Sequence, residues 1–163
     1  ILKLFMKKIL ILFFIFLSNY SLALQWSTVK ITDDWEETTR TLIFSDYINP
    51  NKPLGFPYQD PTVYMYWDCD NGGFTMRNTA NNILDTDIAD GYNLIQHDIK
   101  IDGDIKSITS YQQWSSEYIT LDWYNNLNLQ SATELVVRLN HYSDGYRQYT
   151  FDLSNFDPIN GCN

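Results

Sequence analysis

The stretch TELVVRLNHYSDGYRQYTFDL, residues 133 to 153, decides the fold class, because it holds two alternating apolar segments on either side of one turn. Positions 135, 137 and 139 in the first segment, and 149, 151 and 153 in the second, are apolar or aromatic, which is the period of a half-buried strand. The intervening Ser-Asp-Gly-Tyr, residues 143 to 146, is typical of a tight hairpin turn. The stretch therefore predicts two antiparallel strands, each with one face in a core.

Segments of the same kind recur along the chain and are separated by Gly, Asn, Asp or Pro. A second turn signal, Asp102-Gly103, follows one of them, and short helical turns are expected only at residues 125 to 132 and 155 to 160. This number of antiparallel strands predicts an all-β fold, either an antiparallel β-sandwich or a small barrel. The predicted strands are residues 40 to 44, 62 to 69, 74 to 77, 93 to 101, 118 to 123, 133 to 142 and 148 to 153.

The start of the chain predicts export. Met6 is followed by two lysines, an apolar run at residues 9 to 17 and a polar stretch that ends at Ala23, which is the pattern of a secretory signal peptide. The apolar run has about half of the roughly 20 residues that a membrane-spanning helix needs, so we expect no stable membrane insertion after cleavage. Residues 1 to 23 are therefore expected to be upstream residues plus the signal peptide, and residues 24 to 163 a single periplasmic or secreted all-β domain.

The charge of the expected mature chain excludes one class of partner. Removal of residues 1 to 23 leaves 8 basic against 20 acidic residues, a net charge of −12. Phosphate binding needs a basic stripe, so nucleic acid is not expected as a partner, and anionic membrane surfaces are disfavoured for the same reason. Basic proteins and cationic ligands are compatible with this charge.

The two cysteines of the chain are expected to form a disulfide. An exported domain with no third cysteine to compete favours the pair Cys69 and Cys162, and Cys69 shares the apolar face of the strand TVYMYWDC. The acidic turn around Cys69 does not match a calcium loop, because a loop that starts at Asp68 has Gly72 where the fifth position needs an oxygen ligand. The sequence predicts a structural disulfide and no metal or other cofactor.

No enzyme class is indicated by the sequence. It lacks a nucleophile elbow, an HExxH zinc motif, a phosphate-binding loop and the Rossmann glycine pattern. Its only histidines, His97 and His141, lie on the apolar faces of their predicted strands, which favours core-edge histidines that are hydrogen-bonded to the backbone. We therefore expect a protein without catalytic residues.

Two aromatic residues lack a place in the predicted core. Trp67 and Trp123 lie on the buried side of predicted strands, whereas Trp114 follows a polar segment and Tyr58 lies in the proline-rich segment at residues 46 to 61. That segment holds four of the five prolines and is either a stiffened surface excursion or a binding lid. Trp114 and Tyr58 are expected to be exposed and to contact protein or glycan.

Taken in order, these features resemble the VasI/TagO-type accessory proteins of type VI secretion clusters and their prophage relatives. The likeness covers nearly the whole expected mature chain and depends on the order of its motifs. These motifs are Trp26, the acidic pair Asp33 and Asp34, the strand YWDCDNGG, the turn IKIDGD, the segment Trp114-Ser115-Ser116, the strand LVVR with Arg138, then YTFDLSNF and the terminal Cys162.

The resemblance implies a non-enzymatic, all-β accessory protein of the periplasm that binds an envelope or secretion-apparatus protein. It also implies that Cys162 pairs with Cys69, which agrees with the argument from the cysteine count. Asp102, Trp114 and Arg138 occupy positions that resemble the family pattern and are candidate structural or contact residues. The oligomeric state is left open.

Two alternatives from other classes are retained. The segments YWDCDNGGFTMRN and SDGYRQY are loosely similar to the strand and loop of small periplasmic lysozyme inhibitors, and an acidic inhibitor would be steered to a basic lysozyme. The excess of aromatic residues is also compatible with a glycan-binding module.

Overall fold

The computed structural model describes residues 26 to 33, 35, 37 to 58, 61 to 79, 87 to 89, 91 to 114, 116 to 122 and 125 to 163. The expected signal peptide, Ser115 and Trp123 lie outside the described residues. Within the described part of the chain, no helix is long and apolar enough to cross a membrane.

In the described part of the chain, ten strands form one antiparallel sheet, which confirms the all-β prediction. The strand order is β1-β2-β3-β4-β8-β7-β6-β9-β10, with β5 paired to β6 off this path, and the ladder is not closed between β1 and β10 in the described residues. Two short helices among the described residues, Leu129–Ser131 and Pro158–Gly161, fall where helical turns were predicted. The strands are β1 Trp26–Asp33, β2 Thr38–Ser45, β3 Val63–Asp68, β4 Phe74–Asn78, β5 Asp87–Ala89, β6 Tyr92–Ile101, β7 Asp104–Gln113, β8 Tyr118–Thr120, β9 Glu134–His141 and β10 Gly145–Asp152.

The inward faces of the strands enclose one hydrophobic core. Alternate residues of β9 and β10 are buried in it, as the opening stretch predicted, and β3 contributes Val63, Met65 and Trp67. At one end of the core an aromatic cluster forms, in which Trp67 and Phe156 each lie close to Phe74, with ring centres 5.1 and 4.9 Å apart. The chain after β10 therefore closes that end of the core.

The disulfide between Cys69 and Cys162 is present, with Cα atoms 5.6 Å apart, and confirms the predicted pairing. It joins the end of β3 to the residue that follows the C-terminal helix, Pro158–Gly161. Asp157 caps this helix by accepting hydrogen bonds from the N–H groups of Ile159 and Asn160.

Three of the strands, β1, β5 and β7, were not predicted, and β1 and β7 lack the alternation of the predicted strands. Two of the three buried inward residues of β7 in its second half are polar, Ser110 and Gln112, so the apolar alternation that marks a strand is missing there. Along β1 every residue after Trp26 is exposed, so neither face carries a core pattern. Pairing with neighbouring strands stabilises both elements where their own sequence does not indicate them.

The proline-rich segment is packed along β10. Ile48 forms a bridge with Val63, the N–H of Asn51 donates to the carbonyl of Gln148 at 2.9 Å, and the N–H of Gln148 donates to the Asn51 side chain at 3.0 Å. Arg147 also donates to the carbonyls of Lys52 and Pro53. The segment therefore covers the edge of β10 that no strand of the sheet occupies.

Candidate functional site

The outer face of the sheet carries an open groove of about 300 Å³ whose walls are largely tyrosine, and we call it the tyrosine groove. Residues of six strands line it. In each of these strands the residues that alternate with the core residues point outward, onto this face. Its lining residues are Arg40, Tyr66, Asp68, Thr75, Tyr92, Tyr111, Gln113, Ser116, Tyr118 and Thr120.

The shape of the groove follows from one row of cross-strand pairs. Tyr66 of β3 faces Thr75 of β4, Thr75 faces Thr120 of β8, and Thr120 faces Tyr111 of β7. Two short threonines thus lie between two long tyrosines in a row that crosses four successive strands. Because side chains at paired positions stand side by side on the sheet, this row makes a low floor between raised walls.

A second row of pairs fixes the Tyr118 wall. Arg77 faces both Tyr64 and Tyr118, and its guanidinium carbon lies 5.8 and 5.7 Å from the centres of their rings. Its Nε donates to Glu117 at 2.6 Å. Its hydrogen bonds to Tyr64 and, to a smaller extent, to Glu117 raise the pKa of Arg77, so the side chain stays charged. The guanidinium contacts the rings of both tyrosines and holds them in place.

The other end of the groove is anchored by a buried carboxylate. Asp68 is 2% exposed, forms an ion pair with Arg40 and accepts hydrogen bonds from the Asn71 side chain and the Asp70 N–H. Burial alone would raise the pKa of Asp68, but the hydrogen bonds from Asn71, Arg40 and Asp70 lower it below its usual value. Asp68 is therefore a charged but fully partnered floor group, and the half-exposed Arg40 side chain is the cation at the mouth.

The accessible groups of the groove are aromatic rings and hydroxyls. Tyr92 and Tyr118 are 48% and 43% exposed, whereas Tyr66 is half-buried. Burial raises the pKa of Tyr66, so its phenol stays neutral and can donate as well as accept a hydrogen bond. Rings with a polar edge beside one arginine suit a ligand that offers both apolar faces and hydroxyl, amide or carboxylate groups.

Trp114 and Asp102, predicted from sequence, lie apart from each other. Trp114 is 55% exposed directly after β7, next in the chain to the groove residue Gln113. Asp102 accepts hydrogen bonds from the Thr133 N–H, the Thr133 hydroxyl and the Glu134 N–H, and these bonds lower its pKa. Its contacts are therefore those of a structural residue that ties the β6–β7 turn to the start of β9.

Arg138 lies on a different part of the outer face, at β9. Its guanidinium carbon is 3.9 Å from the centre of the Tyr146 ring, and its Nη1 is 3.3 Å from an Asp98 oxygen. The Ser107 hydroxyl donates to the other oxygen of Asp98 at 2.7 Å. These contacts hold Arg138 across β6, β9 and β10, outside the tyrosine groove.

The prediction that Tyr58 is exposed is wrong. Tyr58 is only 6% exposed, its hydroxyl donates to the carbonyl of Tyr142 at 2.9 Å, and its ring packs against His141. Among the described residues of this segment, the exposed aromatic side chains are Tyr47 and Phe56, which are 63% and 91% exposed. Proline-rich sequence gives no alternation from which the buried side can be read, which explains the error.

The two histidines are buried, as their strand positions predicted. His97 Nε2 is hydrogen-bonded to the Ser110 hydroxyl at 2.7 Å, and His141 Nε2 to the Tyr149 hydroxyl at 3.0 Å. Burial lowers the pKa of each histidine to about 4, which keeps both neutral near pH 7. Among the described residues, no group of three or more His, Cys, Asp or Glu could hold a metal ion.

Sequence reasoning missed the tyrosines of the groove. The available signal was the segment YMYW, in which the two tyrosines point outward while Met65 and Trp67 point into the core.

No protein-family model matches the chain, and neither the curated proteins nor the solved structures contain a significant match.

Proposed function

We propose that this protein is a non-enzymatic accessory protein of the bacterial envelope that binds its ligand in the tyrosine groove. The observation that carries the proposal is the groove itself, in which two half-exposed tyrosines, a threonine floor between Tyr66 and Tyr111, and the cation of Arg40 meet on one face. Tyrosine and arginine are enriched among residues that dominate binding energy at protein interfaces.

Three further features support an extracytoplasmic role. The Cys69–Cys162 disulfide is typical of proteins in an oxidising compartment. The start of the chain has the pattern of a signal peptide, and the order of motifs resembles the VasI/TagO-type accessory proteins. On this proposal the ligand is a segment of an envelope or secretion-apparatus protein.

A glycan is the second candidate ligand, because exposed tyrosine rings beside hydroxyl and amide groups also suit sugar rings. Tyr92 and Tyr118 offer such rings, and Gln113 and Ser116 offer hydrogen-bonding groups beside them. The two candidates place different ligands in the same groove. Testing one set of variants against both kinds of ligand distinguishes them.

The test uses two groove variants and one matched control. Tyr118→Ala removes a wall and Thr120→Trp fills the floor, whereas Tyr142→Ala removes a 63% exposed tyrosine outside the groove. Tagged wild-type protein and each variant are incubated with detergent-solubilised envelope proteins and, separately, with purified peptidoglycan. We expect one protein to be recovered with the wild type and with Tyr142→Ala, and its Kd, measured with the purified partner, to rise about tenfold in both groove variants.

The proposal is overturned if both groove variants bind that partner as tightly as the wild type. Sedimentation with peptidoglycan that is lost in Tyr118→Ala and Thr120→Trp, without any groove-dependent protein partner, assigns the groove to glycan. Circular dichroism and thermal unfolding of all four proteins check that the substitutions have left the fold intact.

A further inference from the structure

The β1–β2 hairpin extends beyond the rest of the sheet. β2 pairs with β1 along its whole length, but its register with β3 covers only residues 42 to 44. Residues 31 to 39 thus include a two-stranded ribbon with no third strand among the described residues, and we call them the hairpin arm. A two-stranded ribbon is only marginally stable by itself in water.

Both faces of the hairpin arm are exposed, and apolar side chains remain on it. Ile31 is 47% exposed, and Val29, 42% exposed, lies on the same outward face of β1 where the arm joins the sheet. Trp35, at the tip, is 95% exposed. Apolar residues gathered on a projecting element with no core to fill are typical of an interaction surface.

A backbone contact holds Trp35 at the end of the ribbon. Its N–H donates to the Asp33 side chain at 2.8 Å, which is an Asx turn, and Glu37 has a left-handed φ of 52°. Cross-strand pairs continue up to Asp33 and Thr38, so the ribbon is regular to its end. The regular ribbon therefore carries one large, exposed aromatic side chain at its end.

The charge around Trp35 decides what kind of surface fits it. In the sequence Trp35 stands between Asp33-Asp34 and Glu36-Glu37, so four acidic residues flank one tryptophan. Such a tip is repelled by an anionic bilayer and matches a pocket whose interior is apolar and whose rim is basic. The whole chain is acidic, with a net charge of −9, which disfavours a second copy as the partner.

We propose that the hairpin arm docks on a partner protein by inserting Trp35 into an apolar pocket surrounded by lysine or arginine. This surface is separate from the tyrosine groove and goes beyond the function proposed for it. Arg40, which pairs with Ile31 at the base of the arm, also lines the groove, so the two surfaces adjoin. A single partner can contact both.

Site-specific photocrosslinking of the full chain in its own host cells tests the proposal. A benzophenone amino acid replaces Trp35 in one variant and Ile105, which is 71% exposed on β7, in the control. We expect one discrete adduct with an envelope protein from position 35 and not from position 105. The crosslinked partner is then purified, and its Kd for the unmodified chain is measured.

Three variants distinguish specific docking of Trp35 from nonspecific contact with the crosslinked protein. We expect Trp35→Ala to raise Kd about tenfold and Glu37→Lys to weaken binding as well, while Ile159→Ala, which removes another exposed apolar side chain, leaves Kd unchanged. Wild-type binding is expected to weaken when salt is raised from about 0.05 to about 0.5 M, because ions screen the basic rim from the acidic tip. Thermal unfolding of Trp35→Ala should match the wild type.

Several outcomes overturn the docking of the arm on a protein. They are no adduct at position 35, an adduct with lipid, an adduct with a second copy of this chain, or a Kd that Trp35→Ala leaves unchanged. The groove is judged separately, because Tyr118→Ala and Thr120→Trp leave the arm intact. A position 35 adduct that persists in those variants supports the arm even if the groove has no ligand.

Discussion

At the residue scale, the most consequential groups are two neutral histidines in the core. His97 and His141 are 5% and 1% exposed, and each has a hydroxyl within hydrogen-bonding distance on a neighbouring strand. Arg147 near His141 adds to burial in disfavouring a second positive charge, whereas Asp144 opposes it. A proton taken up by either ring must therefore be accommodated away from water.

Acidification should destabilise the protein between about pH 6.5 and pH 4. The pKa of each histidine is lowered to about 4 in the folded chain, whereas an unfolded histidine titrates near 6.5, so below that pH the unfolded state binds more protons. The free energy of unfolding should fall by about 2 kcal/mol per histidine at about pH 5 relative to neutral pH. Asp68, whose pKa is lowered, loses its contribution only below its usual range.

Urea unfolding at about pH 7, 6 and 5 measures this dependence. His97→Gln should retain only part of the slope, because one of the two titrating groups is removed. A free energy of unfolding that is constant across this interval would contradict the prediction.

Tyr58 gives a second prediction at the residue scale. Tyr58→Ala removes a ring that packs against His141 and a hydroxyl that binds the Tyr142 carbonyl, so we expect a loss of about 3 kcal/mol in the free energy of unfolding. Phe56→Ala, in the same segment but at a 91% exposed position, should change it by less than about 0.5 kcal/mol. Chemical denaturation of the two variants measures both effects, and equal losses would refute the burial of Tyr58.

At the element scale, the C-terminal helix and the hairpin arm differ in how firmly each is attached to the rest of the sheet. The helix lies so close to the sheet that a Cβ on Gly161 would stand 2.7 Å from the Ile43 Cδ1, and Cys162 after it is bonded to Cys69. The hairpin arm has neither a packed face nor a covalent tie among the described residues. The first element is held by the fold, and the second is free to meet a partner.

The disulfide should supply a large part of the stability. It joins residues 93 positions apart, and closing a loop of that length in the unfolded chain corresponds to about 4 to 5 kcal/mol in the chain-entropy account. The double variant Cys69→Ala/Cys162→Ala should unfold at a correspondingly lower denaturant concentration. Thiol labelling of the denatured, unreduced wild type should find no reactive cysteine, and two reactive thiols would disprove the bond.

At the scale of the whole molecule, the acidic charge and the tethered β9–β10 loop bear on the lysozyme-inhibitor alternative. The Asp144 carboxylate lies 2.5 Å from Arg147 and accepts a hydrogen bond from the Gly55 N–H. A carboxylate engaged in this way must be released before it can enter a basic cleft, which costs binding energy. The loop is thereby tied to the proline-rich segment.

We expect no inhibition of C-type lysozyme by micromolar concentrations of the mature domain. Ser143→Ala and Tyr146→Ala should have no effect in the same turnover assay, because neither side chain is expected to contact the enzyme. Nanomolar inhibition that is lost in either variant would make the inhibitor the better assignment.

Much of the fold is determined locally and was therefore readable from the sequence. Period-two alternation assigned both faces of β9 and β10, the turn residues 143 to 146 placed their hairpin, and the cysteine count predicted the disulfide. Strand β7 escaped this reasoning because Ser110 and Gln112 occupy inward positions. Burial of polar groups depends on partners supplied by other strands, and alternation cannot reveal them.

The tertiary structure alone decided which outward residues meet. Tyr66 and Tyr111 belong to β3 and β7, and they line one groove only because β4 and β8 pair between these two strands. Alternation along a strand sets the direction in which a side chain points, so the sequence was sufficient to predict that these tyrosines point outward. Strand order and register depend on how all the faces are buried together, and these placed the threonines between the tyrosines, Tyr58 in the core and Trp35 at the end of an unsupported ribbon.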